Sequence, residues 1–271
     1  MKKYLLIALL IMGLNAKTVD KVIANVEGEP ITSYELNSFA KNSNLSKEKA
    51  LSVLIDQKLI ESEIKKRGIN VDDFEIENEM EKIAKQNGMD LFQFKNILTQ
   101  KGELNKLRKQ IKNNLLKRKL FEQIIQTKLR IAPSEITDYY KNHKKDFTIF
   151  DSIQVIKYSA NNPELLKKIK ENPLINNPLI STKNLVLNSD NMPLSLIFIL
   201  KDIKEGGYSP IFNDGANYSM FYVVKKEGEK TMPLEKVKNL IYSKLAQQKQ
   251  EVILKTYFDR LKNRADIEIF N

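Results

Sequence analysis

The sequence has 271 residues, 42% of them hydrophobic, with no cysteine, a single histidine and a formal net charge of +11. The lack of cysteine excludes disulfide staples, thiolate metal sites and a lipid-bearing leader cysteine, and His143 by itself excludes a multi-histidine metal centre. The basic residues are spread over helix faces, most densely from Lys106 to Lys119. That is the pattern of solvated helices, so nucleic acid is not an expected partner; weak association with an anionic membrane surface stays open.

Taken in chain order, Lys2 and Lys3 precede an almost unbroken apolar run from Leu5 to Leu14, followed by small Ala16 and then Lys17. This is the three-part layout of a secretory signal peptide, and the run is far shorter than the ~20 apolar residues that span a bilayer. Export to the periplasm with cleavage near Ala16 is expected. Next, Val22, Ala24 and Val26 alternate with polar residues, Glu27-Gly28 makes a turn, and Pro30-Ile31 resumes. At the far end Ala265, Ile267 and Ile269 alternate with acids. A lone hairpin and a lone strand are each marginal in water and leave open edges, so pairing them satisfies both. The two ends of the chain are therefore expected to build one domain, with the middle inserted.

Helical signals fill the next stretch. Ser46 can cap a helix bearing Leu51, Leu54, Ile55, Leu59 and Ile64, which Gly68 stops. Asp72 with Glu75 forms a capping box, with Val71 placed to staple Ile76. Asp90 with Gln93, and Met89 facing Phe94, repeat that grammar, and Gly88 and Gly102 punctuate the ends. A stripe from Leu104 through Ile111, Leu115, Leu120 and Ile124 runs to about Leu129. Ala132-Pro133 breaks it, and Ser134 is expected to cap a short helix over 134–145. From Phe147 the pattern becomes mixed: extended runs Ser152–Tyr158, Leu185–Leu187 and Met220–Val224 alternate with helical pieces 163–171 and 193–204. Thr231 is expected to cap a last long helix with Pro233 in its first turn and Leu234, Val237, Ile241, Leu245, Val252 and Leu261 along it.

Certain residues resemble a known family. Val19–Val26 with Gly28, Ile31 and Thr32-Ser33, then Leu54-Ile55-Asp56-Gln57-Lys58-Leu59-Ile60, Ile83–Met89 and the Gln110–Leu116 helix, are similar to the SurA-like chaperones. Pro133-Ser134-Glu135-Ile136 with Tyr139-Tyr140 resembles the opening of a parvulin-type isomerase domain. The resemblance implies an α+β fold: a mainly helical SurA-type core, made by the N-terminal region plus a C-terminal helix and strand, with an inserted parvulin-like α/β domain. The expected divisions are 1–16 for the signal peptide, 17–131 for the N-terminal chaperone domain, 132–231 for a degenerate parvulin-like domain, and 232–271 for the helix and strand that complete the core.

The parvulin resemblance implies a histidine in the first strand of the middle domain and another in the last. Gln154 and Tyr222 stand there instead, and Lys183-Asn184-Leu185-Val186 replaces the usual glycine-rich acidic segment. Met192-Pro193, Phe198 and Gly206-Gly207-Tyr208-Ser209-Pro210 survive. Turning an X-Pro bond needs a desolvated groove and a stabilised twisted amide rather than a nucleophile, so Tyr222 and Gln154 could still donate hydrogen bonds there. With both imidazoles and the acidic position missing together, the domain reads as a binding surface. No catalytic residue, metal ligand or cofactor is expected, and the candidate peptide-binding positions are Gln154, Met192, Phe198 and Tyr222. His143, among lysines on a polar helix, reads as solvent-facing. Glu77 and Glu79 do not share a helix face and are no acid/base pair.

The leading expectation is an ATP-independent periplasmic holdase for unfolded polypeptides. The resemblance adds outer-membrane proteins in transit as the client class. An active peptidyl-prolyl isomerase and an exported surface adhesin or binding factor are the alternatives, and monomer and domain-swapped dimer are both open.

Overall fold

The computed structural model describes residues 21–172 and 177–270. The expected signal peptide and its cleavage position near Ala16 lie outside the described residues. The chain separates into two compact units, one ending at Leu129 and resuming at Lys249, the other Arg130–Gln248.

In the first unit, β1 (Val22–Val26) and β2 (Glu29–Thr32) form the expected hairpin. Its two turn residues, Glu27 and Gly28, both have positive φ, 54° and 84°, the geometry whose twist suits a two-residue hairpin. Thr32 accepts a hydrogen bond from the Glu35 N–H (3.2 Å) and starts α1 (Ser33–Ser43). Ser46 caps α2 (Lys47–Lys66) through the Lys49 N–H. Asp72 and Glu75 form the full reciprocal capping box of α3 (Asp73–Gln86), and Val71 and Ile76 share one buried cluster with Met80, Ile111 and Leu115. Asp90 accepts from the Gln93 N–H at 2.8 Å to start α4 (Leu91–Gln100), and α5 (Leu104–Lys128) follows.

The second unit runs through α6 (Pro133–Asn142), β3 (Thr148–Ile149), β4 (Ser152–Ala160), α7 (Pro163–Glu171), β5 (Ser181–Asn188), α8 (Leu194–Lys201), β6 (Phe212–Asn213), β7 (Tyr218–Glu227) and β8 (Lys230–Thr231). Its main sheet has the order β5-β4-β7-β6, every pair antiparallel, and β3 pairs with β8. The chain then continues as α9 (Leu234–Arg264), which belongs to the second unit as far as Gln248 and to the first beyond it. The last strand, β9 (Ile267–Ile269), pairs antiparallel with β1, Val26 opposite Ile267 and Ala24 opposite Ile269. The terminal strand and the N-terminal hairpin thus satisfy each other within one chain, in a sheet of order β2-β1-β9.

This return is held by more than the strand. In the first unit the Tyr257 hydroxyl donates to Glu63 Oε1 (2.6 Å), Arg67 donates to both the same carboxylate oxygen (2.6 Å) and the Tyr257 oxygen (2.7 Å), and Phe258 packs edge-on against Phe121. Burial works to raise the Glu63 carboxyl, but the hydrogen bonds from Tyr257 and Arg67 outweigh it and leave Glu63 below its ordinary value. Around this triad Ile69, Leu120 and Ile124 are buried, each such aliphatic side chain being worth roughly 1.5–3 kcal/mol against exposure.

Two expected caps are placed otherwise. Helix α6 begins at Pro133, with Ala132 as the capping position and the Glu135 carboxylate accepting the Ala132 N–H (2.7 Å), so Ser134 lies inside the first turn. Proline suits the first helical position because its missing N–H is one that helix could not use. Thr231 is a strand residue paired with Thr148, and α9 starts after Pro233.

Candidate functional site

The site residues read from the sequence all lie in the second unit, and the sheet separates them. In β4, Ile153 and Val155 are fully buried with Phe221, Val223 and Leu200 of α8. Alternation along the strand turns Gln154, Ile156 and Tyr158 to the opposite face. Tyr222 is paired directly with Ile156, so Gln154 and Tyr222 share that second face on neighbouring strands. Met192 and Phe198 belong to the α8 side, packed at the margin of the buried clusters. The four residues therefore form two pairs on two faces rather than one groove.

On the second face the sheet carries a row of tyrosines. Tyr222 lies beside Tyr208, with ring centroids 4.9 Å apart, and Tyr158 lies 6.4 Å from Tyr208. The Gly206–Ser209 segment brings Tyr208 there by pairing along β7: the Gly206 N–H donates to the Val223 carbonyl, the Val223 N–H to the Gly207 carbonyl, and the Ser209 N–H to the Phe221 carbonyl. Gly207 is required at this approach, because a Cβ would stand 2.8 Å from Ile203 Cγ2 and 2.9 Å from the Lys204 carbonyl oxygen. Burial, then the neighbouring tyrosines, push the Tyr158 and Tyr208 phenols up. The Gln154 amide donates to Glu227 (3.5 Å) instead of reaching Tyr222. At one end α7 covers this face, with Leu166 and Ile169 buried against Ala160 and Met220.

On the α8 side, Phe198 lines a hollow of about 400 Å³ with Tyr139, Phe147, Leu240 and Ile241 as apolar walls, and with Lys201, Lys244, Asp146 and Asp202 at the rim. Lys201 Nζ stands 5.4 Å over the Phe198 ring, and Lys244 Nζ 5.3 Å over Tyr139. The hydrogen bond to Tyr139 raises Lys244 above its ordinary value. His143 is exposed as expected, yet it is not idle: its ring stacks on Tyr139 at 4.0 Å and its Nδ1 meets the Tyr139 carbonyl oxygen at 2.8 Å. The hollow thus combines apolar walls with both cations and carboxylates at its rim. Among the described residues no group of three or more His, Asp or Glu side chains is placed to hold a metal ion.

Of the residues lining the hollow, the sequence pointed to Phe198 and not to Leu240 or Lys244; of the tyrosine row it pointed to Tyr222, with Tyr208 only as part of the Gly206–Pro210 segment. Leu240 had a readable signal: it is an apolar residue lying off the Leu234-Val237-Ile241-Leu245 stripe of α9. Helix α8 had another, since Leu-Ser-Leu-Ile-Phe-Ile-Leu is apolar on all sides, although only Ile197 and Leu200 are buried.

Comparison with known proteins agrees with this architecture. Residues 40–121 match the SurA N-terminal domain, and residues 133–226 match the Cj1289-like C-terminal domain. A solved structure from Campylobacter jejuni, from the pair PEB4 and Cj1289 described as structurally related SurA-like chaperones, is 30% identical, covers 92% of this chain and 99% of that chain, and superposes with a TM-score of 0.65. This chain belongs to the SurA-like chaperones. Chaperone SurA of Legionella pneumophila is 27% identical over 139 residues, and the foldase protein PrsA of Caldanaerobacter subterraneus 24% identical over 233 residues, 83% of this chain and 71% of that protein. The chain matches 46% and 32% of the lengths of the SurA relatives from Haemophilus influenzae and Legionella pneumophila, sharing with each less than half of the longer protein. Among the described residues of this SurA-like chain, no helix is long and apolar enough to cross a membrane.

Proposed function

We propose that this chain is an ATP-independent holdase of the periplasm, which binds unfolded polypeptides, outer-membrane proteins above all, through its parvulin-like second domain. The observation that carries the proposal is the exposed apolar surface around α8. Leu194 and Ile199 are 37% and 39% exposed and Leu240 is 43% exposed, beside a hollow walled by Phe198, Tyr139 and Phe147. A folded protein keeps such side chains open at a cost in solubility, and a binding surface accounts for it. Phe198 with Met192 is one contact area for extended clients, and Tyr222 with Gln154 is a second on the opposite face. The proposed domains keep the limits 17–131, 132–231 and 232–271. The SurA-like relatives include a protein described as periplasmic, which supports the location, as does the short apolar leader.

The isomerase alternative is weakened by chemistry on the tyrosine face. The positions read as the missing histidines hold an amide bonded to Glu227 and a phenol packed on Tyr208, so neither presents an imidazole. Suppression of aggregation of an unfolded outer-membrane protein by the exported form at stoichiometric ratio tests the proposal, and no suppression would overturn it. A protease-coupled proline isomerisation assay, run beside Tyr222→Ala, tests the alternative: turnover lost in the variant would restore the isomerase reading.

A further inference from the structure

The two edges of the four-stranded sheet are finished differently. On one side β6 is two residues long, and the Gly206–Ser209 segment occupies the neighbouring stretch of β7 with three backbone hydrogen bonds. On the other side β5 is eight residues long, pairs with β4 without a register shift from Ser152↔Asn188 to Ser159↔Ser181, and contains neither Pro nor Gly. In the first unit's sheet the outer strands are only four and three residues, and β2 holds Pro30. Short length, proline, bulges and charge are how folded proteins blunt sheet edges. Of these devices β5 has one, the single charge Lys183. Among the described residues no hydrogen bond other than those to β4 reaches the β5 backbone, so every second N–H and C=O along it faces outward unpaired.

The side chains flanking that edge have a pattern. Register with β4 places Lys183, Leu185 and Leu187 on the α8 side, because Leu185 pairs with buried Val155 and Leu187 with buried Ile153. Both leucines are half-buried at the margin of that cluster. Lys183 is paired with Lys157, whose ammonium is bound to Asp214 at 3.0 Å, whereas Lys183 itself is exposed and has no carboxylate partner among the described residues. On the other face Val186 is 73% exposed.

We infer that β5 accepts an extended segment of an unfolded polypeptide as a fifth strand of the sheet, selecting segments with apolar residues at two alternate positions followed by a carboxylate. In the antiparallel sense the apolar pair lies against Leu187 and Leu185 and completes the cluster they border, and the carboxylate meets Lys183. Backbone pairing supplies affinity, and the alternating pattern supplies selection. The inference rests on the holdase reading and names what one of its surfaces recognises. A second copy of this chain is the less favoured occupant, since β5 carries no carboxylate to answer Lys183.

The test uses fluorescence anisotropy of the full exported chain with a labelled peptide of about eight to ten residues. The peptide carries Val-Thr-Tyr-Thr-Glu in sequence. Three further peptides are compared with it: one N-methylated at alternate residues along one edge, one N-methylated along the other, and one with Lys in place of Glu. Backbone pairing predicts that one methylation pattern weakens binding by about tenfold or more while the other is tolerated. Lys183→Glu, an exposed change, is expected to reverse the preference between the Glu and Lys peptides. Equal binding of both methylated peptides, or a preference untouched by Lys183→Glu, would overturn the inference. So would a concentration-dependent dimer in sedimentation that the labelled peptide dissociates, because the edge would then be self-paired. Aggregation suppression measured on the same samples separates the two readings: suppression that persists without strand pairing removes the β5 site and leaves the holdase standing.

Discussion

The two faces of the second unit's sheet are built on the same strands yet do different things. Toward α8, Ile153, Val155, Phe221 and Val223 are closed over by Leu200 and its neighbours, and beyond them the face ends in a polar ladder where Asp214, Ser219, Ser159 and Lys157 bond to one another. On the opposite face α7 covers only the end near Ala160 and Met220, leaving the tyrosines, Ile156 and Val186 half-buried or exposed. The closed face supplies stability, and the partly covered one leaves its aromatic side chains accessible. The lesson is that covering a sheet diagonally, with one helix at each end of opposite faces, lets a small unit keep a core and an accessible surface together.

Substitutions at the two faces should differ in scale. The largest effect belongs to the closed face: Leu200→Ala, at a fully buried position, is expected to cost about 2–5 kcal/mol in chemical denaturation. Gly207→Ala, which forces a Cβ against Ile203 and the Lys204 carbonyl, should cost about 1–3 kcal/mol and loosen Tyr208 from the tyrosine row, visible as increased hydrogen exchange at Ser209. Tyr222→Ala should follow at about 1–2 kcal/mol through loss of its ring contact with Tyr208. Val186→Thr should stay within about 0.5 kcal/mol; a loss as large as that of Leu200→Ala would show that the open face is core after all.

The polar ladder adds a pH test. Hydrogen bonds from Ser219, Lys157 and the Asn217 N–H hold the Asp214 carboxyl well below the usual aspartate range. A carboxylate depressed in the folded state contributes stability that is present above its unfolded value, near about 4, and lost as pH falls toward the folded value. Acid unfolding of the wild-type chain should therefore steepen below about pH 4, and Asp214→Asn should flatten that part of the profile while leaving the alkaline side unchanged.

Much of the first unit could be read directly. The caps at Ser46, Asp72 and Asp90 are contacts over three residues, and the hairpin turn at Glu27-Gly28 is a matter of two. Even the terminal pairing was legible, because an unpaired strand and an unpaired hairpin in one chain have few other partners. The candidate site was less legible. Phe198 and Tyr222 were identified as residues, but their assignment to opposite faces depends on register across three strands, including a shift between Gln154 and Val155 that no local pattern encodes. The hollow around Phe198 joins residues from α6, α8 and α9, far apart in sequence.

By itself, then, the sequence determined the signals that act within a few residues: caps, turns, apolar stripes, and the kinship those segments carry. The tertiary structure alone decided that α9 serves both units, that β5 is the open edge, and that Lys183 lacks a carboxylate partner among the described residues while Lys157 beside it has Asp214. The division has a physical reason. Local signals are set by backbone geometry over one or two turns, whereas edges, faces and ion pairs exist only once distant segments have been brought together.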